Sequence, residues 1–132
     1  MVQPMNISNV LQHEASNYLG AIRGATQLAS DTQRDMNEAV AELMSSILNE
    51  NGLVIESVVS AILTSTPDLR SAFPASSARR CGWSEVPLIC AQEIDVVGAM
   101  PRVVRVLVHA YVPDRARVTH VYLRGTQELR KD

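Results

Sequence analysis

The sequence predicts an α+β fold in which a mixed β-sheet carries one long and one short helix. Three observations lead there. Residues Met36, Val40, Leu43, Met44, Ile47 and Leu48 recur at three- and four-residue spacing, which places them on one face of a long helix. Val103 to Val112 is a β-branched run long enough for the principal strand. The apolar segments follow one another as β-α-β-α-β-β-β, and 132 residues suit one core rather than two.

The elements follow in order. Residues 1–16 are polar with scattered apolar positions and read as an N-terminal extension, leaving 17–132 as the domain. Tyr18, Leu19, Ala21 and Ile22 form a short first strand that closes on Arg23-Gly24-Ala25-Thr26. Ser30 or Asp31 is expected to cap the long helix, accepting from backbone N–H groups that have no partner within it. Asn51-Gly52 supplies left-handed residues to end it. Val58 to Thr64 is the second strand. Pro74 suits a first helical position, which opens a short helix to about Arg80. Val86 to Ala91 is the third strand and Val103 to Val112 the fourth. Pro113-Asp114 turns the chain, and Val118 to Leu123 is the last strand before a charged tail.

The fourth strand carries further information. Val104, Val106, Val108, Ala110 and Val112 share one face, and Val103, Arg105, Leu107, His109 and Tyr111 share the other. Two helices cover one side of a sheet. Apolar residues on the second side therefore ask for protein as cover, and a closed ring of copies is the economical answer.

Composition narrows the function. The net charge is -2, which gives no reason to expect nucleic acid or an anionic membrane as partner. No apolar run approaches the roughly 20 residues of a membrane span, and no basic patch followed by an apolar stretch marks a signal peptide. Cys81 and Cys90 have neither metal-site nor disulfide-framework spacing, so a cytoplasmic protein with reduced thiols is expected. Lys131 is the only lysine, and the other basic side chains are arginines, which stay charged and grip carboxylates by a two-point fork. The sequence has no phosphate-binding loop, dinucleotide-binding glycine pattern, metal motif or Ser/His/Asp order, and no cofactor is expected.

Arg105 is the leading candidate. A cation within a valine-rich strand needs an anion or a wet cleft, so ligand binding competes evenly with an internal salt bridge to Glu93 or Asp95. Arg23 reads by itself as a turn arginine, with Gly24 beside it allowing a ligand to approach backbone. Cys90 reads as a small buried hydrophobe, Glu93 as a solvated strand-end carboxylate, and Tyr122, alternating with His120, as core. His120 and His109 read as structural or surface residues, Trp83 as a packing anchor, and Arg79-Arg80 as solvated helix surface. Arginines, a glutamate, a cysteine and a tyrosine together suit a small dianion bound without covalent or metal chemistry.

Several segments run in the order of a known family: Ile22-Arg23-Gly24-Ala25-Thr26, Thr66-Pro67-Asp68-Leu69, Ala72-Phe73-Pro74-Ala75, Gly82-Trp83, Val86-Pro87-Leu88, Cys90-Ala91-Gln92-Glu93, His120-Val121-Tyr122-Leu123 and Leu129-Arg130. On these residues the chain resembles the small monofunctional chorismate mutases of the AroH class. The resemblance implies a homotrimer with a barrel-like core and active sites between subunits, converting chorismate to prephenate in aromatic amino acid biosynthesis. It implies that Phe73, Ala75, Leu88, Ile89 and Cys90 line one wall, with Ala91 and Gln92 also among the substrate-binding residues. Arg23, Arg105 and Tyr122 would come from the neighbouring chain, with Glu93 nearby and Arg130 on a closing tail. Ser76 stands where the family often has a lysine, and the tail ends two residues after Arg130. The rival readings are a non-catalytic or regulatory trimer that binds small carboxylates, and a trimeric enzyme such as an enamine/imine deaminase.

Overall fold

The computed structural model describes residues 18–131, and the N-terminal extension read from residues 1–16 lies outside the described residues. The chain runs β1 (Tyr18–Gln27), α1 (Gln33–Glu50), β2 (Val58–Ser65), α2 (Pro74–Ala78), β3 (Leu88–Gln92), β4 (Val103–Val112) and β5 (Val121–Tyr122), then a 3-10 turn over Thr126–Lys131. The five strands form one mixed sheet in the order β3-β2-β4-β1-β5. β4 is central and antiparallel to β1 and β2, whereas β3 and β5 run parallel to their neighbours at the two edges.

The periodicity of α1 decides the packing. Met36, Val40, Leu43, Met44 and Ile47 are buried against Ile22, Val104, Val106, Val108 and Ala110, so the helix covers the face expected of β4. Trp83 is buried and joins this core, as expected. Gly24 belongs to the same packing. A Cβ placed there would meet Ile47 Cδ1 at 2.8 Å and Leu43 Cδ1 at 3.0 Å. The missing side chain thus admits the helix to the sheet, in addition to any room it leaves on the cleft side.

Five local expectations are corrected. β1 continues through Gly24-Ala25-Thr26 to Gln27, because those residues pair with Val106, Arg105 and Val104 along the full length of β4. The cap of α1 is Thr32, whose hydroxyl accepts from Asp35 N–H at 3.1 Å. Asp31 is occupied elsewhere: its carboxylate takes the N–H groups of Arg70 and Ser71 at 3.0–3.1 Å. β3 starts at Leu88, since Pro87 has no N–H and serves only as an acceptor, from Ala61 at 3.1 Å. β5 is reduced to Val121–Tyr122, and Thr119 just ahead of it bonds through its N–H and carbonyl to the Asn51 side chain instead of a strand. The short helix ends at Ala78 and passes into a wide turn broken at Cys81 and Gly82, where Gly82 has φ +104.

The second sheet face lies open in the single chain. Leu19 is 52% exposed and Tyr111 53%, with Ile62 also exposed, so apolar surface stands uncovered where protein cover was expected.

Candidate functional site

β4 places Arg105 on this open face, between Ala25 of β1 and Thr64 of β2. Arg105 is therefore not sunk in the valine-rich core, as burial logic suggested; about half of its side chain is exposed. Glu93 follows β3 and is held to β2 by its N–H, which donates to Ser65 O at 2.9 Å. That anchor turns its carboxylate toward β4. Arg105 Nε donates to Glu93 Oε2 at 2.7 Å, and Nη2 donates to Oε1, forming a two-point fork. Thr64 Oγ1 donates to Oε2 at 2.5 Å. Glu93 is only 13% exposed, so it is a shielded partner and not the solvated strand-end acid first read. Burial pushes its pKa up, but the Arg105 and Thr64 hydrogen bonds and the Arg105 charge outweigh this and hold it below the ordinary carboxylate value. The internal salt bridge and the cleft, first weighed against each other for Arg105, both exist, and the acid is Glu93 rather than Asp95.

This pair lines a cavity of about 1290 Å³ on the open face, together with Arg23, Gln92, Tyr122 and Leu129. Arg23 enters from β1 and Tyr122 from β5, so four elements bring these side chains to one place. Tyr122 is half-buried rather than core, and the Arg130 guanidinium lies over its ring at 5.5 Å. Thr126 pins the tail that carries Arg130, donating to Leu123 O at 2.7 Å. The loop after Glu93 completes the wall with Ile94, Val96 and Met100, residues that sequence reasoning missed. Their apolar cluster before β4 was the only signal.

Phe73, Ala75, Leu88, Ile89 and Cys90 do not line this cavity. They gather at the start of α2 and along β3. Phe73 precedes Pro74 and is 73% exposed; Ile89 is 63% exposed. Cys90 is an exposed free thiol, against the expectation of burial, and its Sγ accepts Ala75 N–H at 3.2 Å. Ala91 is exposed on the same strand and also stands outside the cavity. The twelve candidates thus fall into two groups: Arg23, Gln92, Glu93, Arg105 and Tyr122 at the cavity with Arg130 beside Tyr122, and six residues that do not line it. Among the described residues no group of three or more His, Cys, Asp or Glu comes together as metal ligands would, and no helix is long and apolar enough to cross a membrane.

Two arginines, a shielded glutamate and a tyrosine on the open face of a mixed sheet define a small α+β protein suited to binding a compact anionic ligand. Residues 19–132 match the family model for chorismate mutase type I. The chain is 44% identical over 114 residues to a protein of Thermus thermophilus named chorismate mutase AroH, spanning 84% of this chain and 93% of that one. It is 40% identical over 114 residues to the chorismate mutase AroH of Bacillus subtilis, spanning 84% and 89%. A solved chorismate mutase from Clostridium thermocellum superposes with a TM-score of 0.79 at 38% identity, covering 82% of this chain and 97% of that one. This chain belongs to the type I chorismate mutase family.

Proposed function

We propose that this protein is a chorismate mutase, an isomerase that converts chorismate to prephenate for phenylalanine and tyrosine biosynthesis, and that it works as a homotrimer in the cytoplasm. Family membership supports the reaction. The observation that carries the site is the meeting of Arg23, Glu93, Arg105 and Tyr122 in one open cleft. The separate, exposed Phe73 and Cys90 wall supports an active site completed between copies.

The reaction breaks an ether C–O bond and forms a C–C bond within one molecule, with no proton transferred. What the protein must supply is charge and shape. A millionfold acceleration corresponds to at least ~8 kcal/mol. Arg105 donates to the ether oxygen, where negative charge builds as the bond opens; one preorganised donor contributes about 3–4 kcal/mol. Glu93 fixes the plane and direction of that guanidinium through the fork, so no reorientation is needed at the moment of reaction. Arg23, Tyr122 and Arg130 hold the carboxylates and the enolpyruvyl arm over the ring, and such positioning contributes several kcal/mol. From a neighbouring chain, Cys90 and the backbone around Leu88 and Ile89 meet the ring hydroxyl side, with Glu93 as a further acceptor, and Phe73 packs on the substrate. Free thiols at Cys81 and Cys90 suit a reducing compartment.

The test is the loss of chorismate absorbance with appearance of prephenate by NMR. Turnover in the presence of EDTA is expected. Tight binding of a bicyclic transition-state mimic without any turnover would instead favour a carboxylate-binding relative that has lost catalysis.

A further inference from the structure

We propose that His120 is a positioning residue for Arg23, its imidazole replacing a missing strand partner and fixing the backbone from which the Arg23 guanidinium enters the cleft. The inference rests on the reading above, in which Arg23 holds a substrate carboxylate. The Arg23 N–H and the Ala25 carbonyl both face the β5 edge of β1, and the carbonyl accepts Leu123 N–H at 2.9 Å. β5 pairs only Val121 with Gly24 and Tyr122 with Ala25, so the ladder stops one residue short of Arg23. There His120 Nδ1 accepts the Arg23 N–H at 3.0 Å.

An accepting Nδ1 places the proton of the neutral ring on Nε2. Burial, then the charges of Arg23 and Arg130, hold the ring's pKa below its ordinary value, which keeps Nδ1 available as an acceptor. The segment before the ring is held as well. Asn51 donates to Thr119 O at 3.0 Å and accepts Thr119 N–H at 2.8 Å, while also donating to Ile47 O at 2.9 Å at the end of α1. The rigid helix therefore fixes Thr119, Thr119 carries His120, and His120 fixes Arg23. The next residue but one on the same segment is Tyr122, so one clasp places two site residues.

The geometry of the acceptor supplies the test. Asparagine carries its side-chain oxygen close to the position of Nδ1, whereas alanine has no acceptor. His120→Ala is expected to raise KM for chorismate about five- to tenfold with a smaller fall in kcat, since a carboxylate contact is shared by ground and transition states. His120→Asn is expected to stay within about twofold of wild type on the same ground. Independently of chemistry, Arg23 amide exchange should be slow in wild type and His120→Asn and fast in His120→Ala, and the wild-type Nδ1 should show the 15N shift of an unprotonated nitrogen. Equal effects of Asn and Ala, or a fast-exchanging Arg23 amide in wild type, would overturn the proposal. Amide exchange reports on the clasp alone and wild-type turnover on the reaction alone, so the two failures are distinguishable.

Discussion

At the cleft, charge is in place before any ligand arrives, while at the Phe73 wall almost nothing is. Arg105 is gripped at two points by Glu93, Glu93 is gripped by Thr64, and Arg23 is tied through its backbone to His120. The other group consists of an exposed phenylalanine, an exposed isoleucine and a thiol that touches one backbone N–H. The difference has a physical reason. On the proposed mechanism, cations aimed at a reacting oxygen would lose their advantage if they had first to reorganise, which fits their rigid placement within one chain. An apolar wall would need only shape, which in the proposed trimer a second copy would bring ready-made. The wall's own support is a loop clamp, in which the Asp31 carboxylate holds Arg70 and Ser71 just ahead of Phe73. Desolvation opposes the charge on Asp31, but those N–H bonds outweigh it and keep the carboxyl below its ordinary pKa.

The comparison can be broken at its strongest point first. Arg105→Lys keeps the charge and loses the fork, and kcat is expected to fall by about a hundredfold or more with the far-UV spectrum unchanged. Near-normal turnover would remove Arg105 from the chemistry. Next in size is Glu93→Gln, which retains the shape but weakens the fork; a fall in kcat of about tenfold, with a smaller change in KM, would mark Glu93 as the group that aims Arg105. The same pair sets a pH dependence. A folded-state pKa below the unfolded value means that the pair's contribution is present above the unfolded value and is lost as pH falls through the folded one. Activity should therefore hold flat across neutral pH and drop only on the acid side of the ordinary carboxylate range, a limb that vanishes in Glu93→Gln. The smallest effect on catalysis belongs to Gly24→Ala. Its methyl meets Ile47 and Leu43, so a loss of about 1–3 kcal/mol in urea unfolding is expected, with kcat in the folded fraction little changed.

Much of this was legible where one physical effect dominated. β4 was read to the residue because alternation and β-branching agree along it, and Pro74 falls at the first helical position its ring favours. The reading failed where side chains serve distant partners. Asp31 looks like a cap, yet it is committed to a loop some forty residues on, so Thr32 takes that place. Gly24 looks like a turn because its close contact with α1 is invisible in one dimension. Arg105 was chosen on a mistaken premise, since it lies on the open face and not in the core. Arg23, Tyr122 and the Phe73 wall carried no local signal beyond resemblance, and His120 was dismissed although it alternates with Tyr122.

The proposed division of the site between two copies is tested most directly by mixing two damaged chains. Arg105→Ala removes the cation, and Cys90→Asp sets a carboxylate on the apolar wall; each alone is expected to be nearly inactive. Co-expressed and purified together, randomly assorted copies would join an intact wall to an intact cleft at about a quarter of their interfaces. Recovered turnover near that fraction is the result this account requires. A mixed preparation no more active than its two parents would mean that both groups serve the same chain, or that one of them serves no substrate.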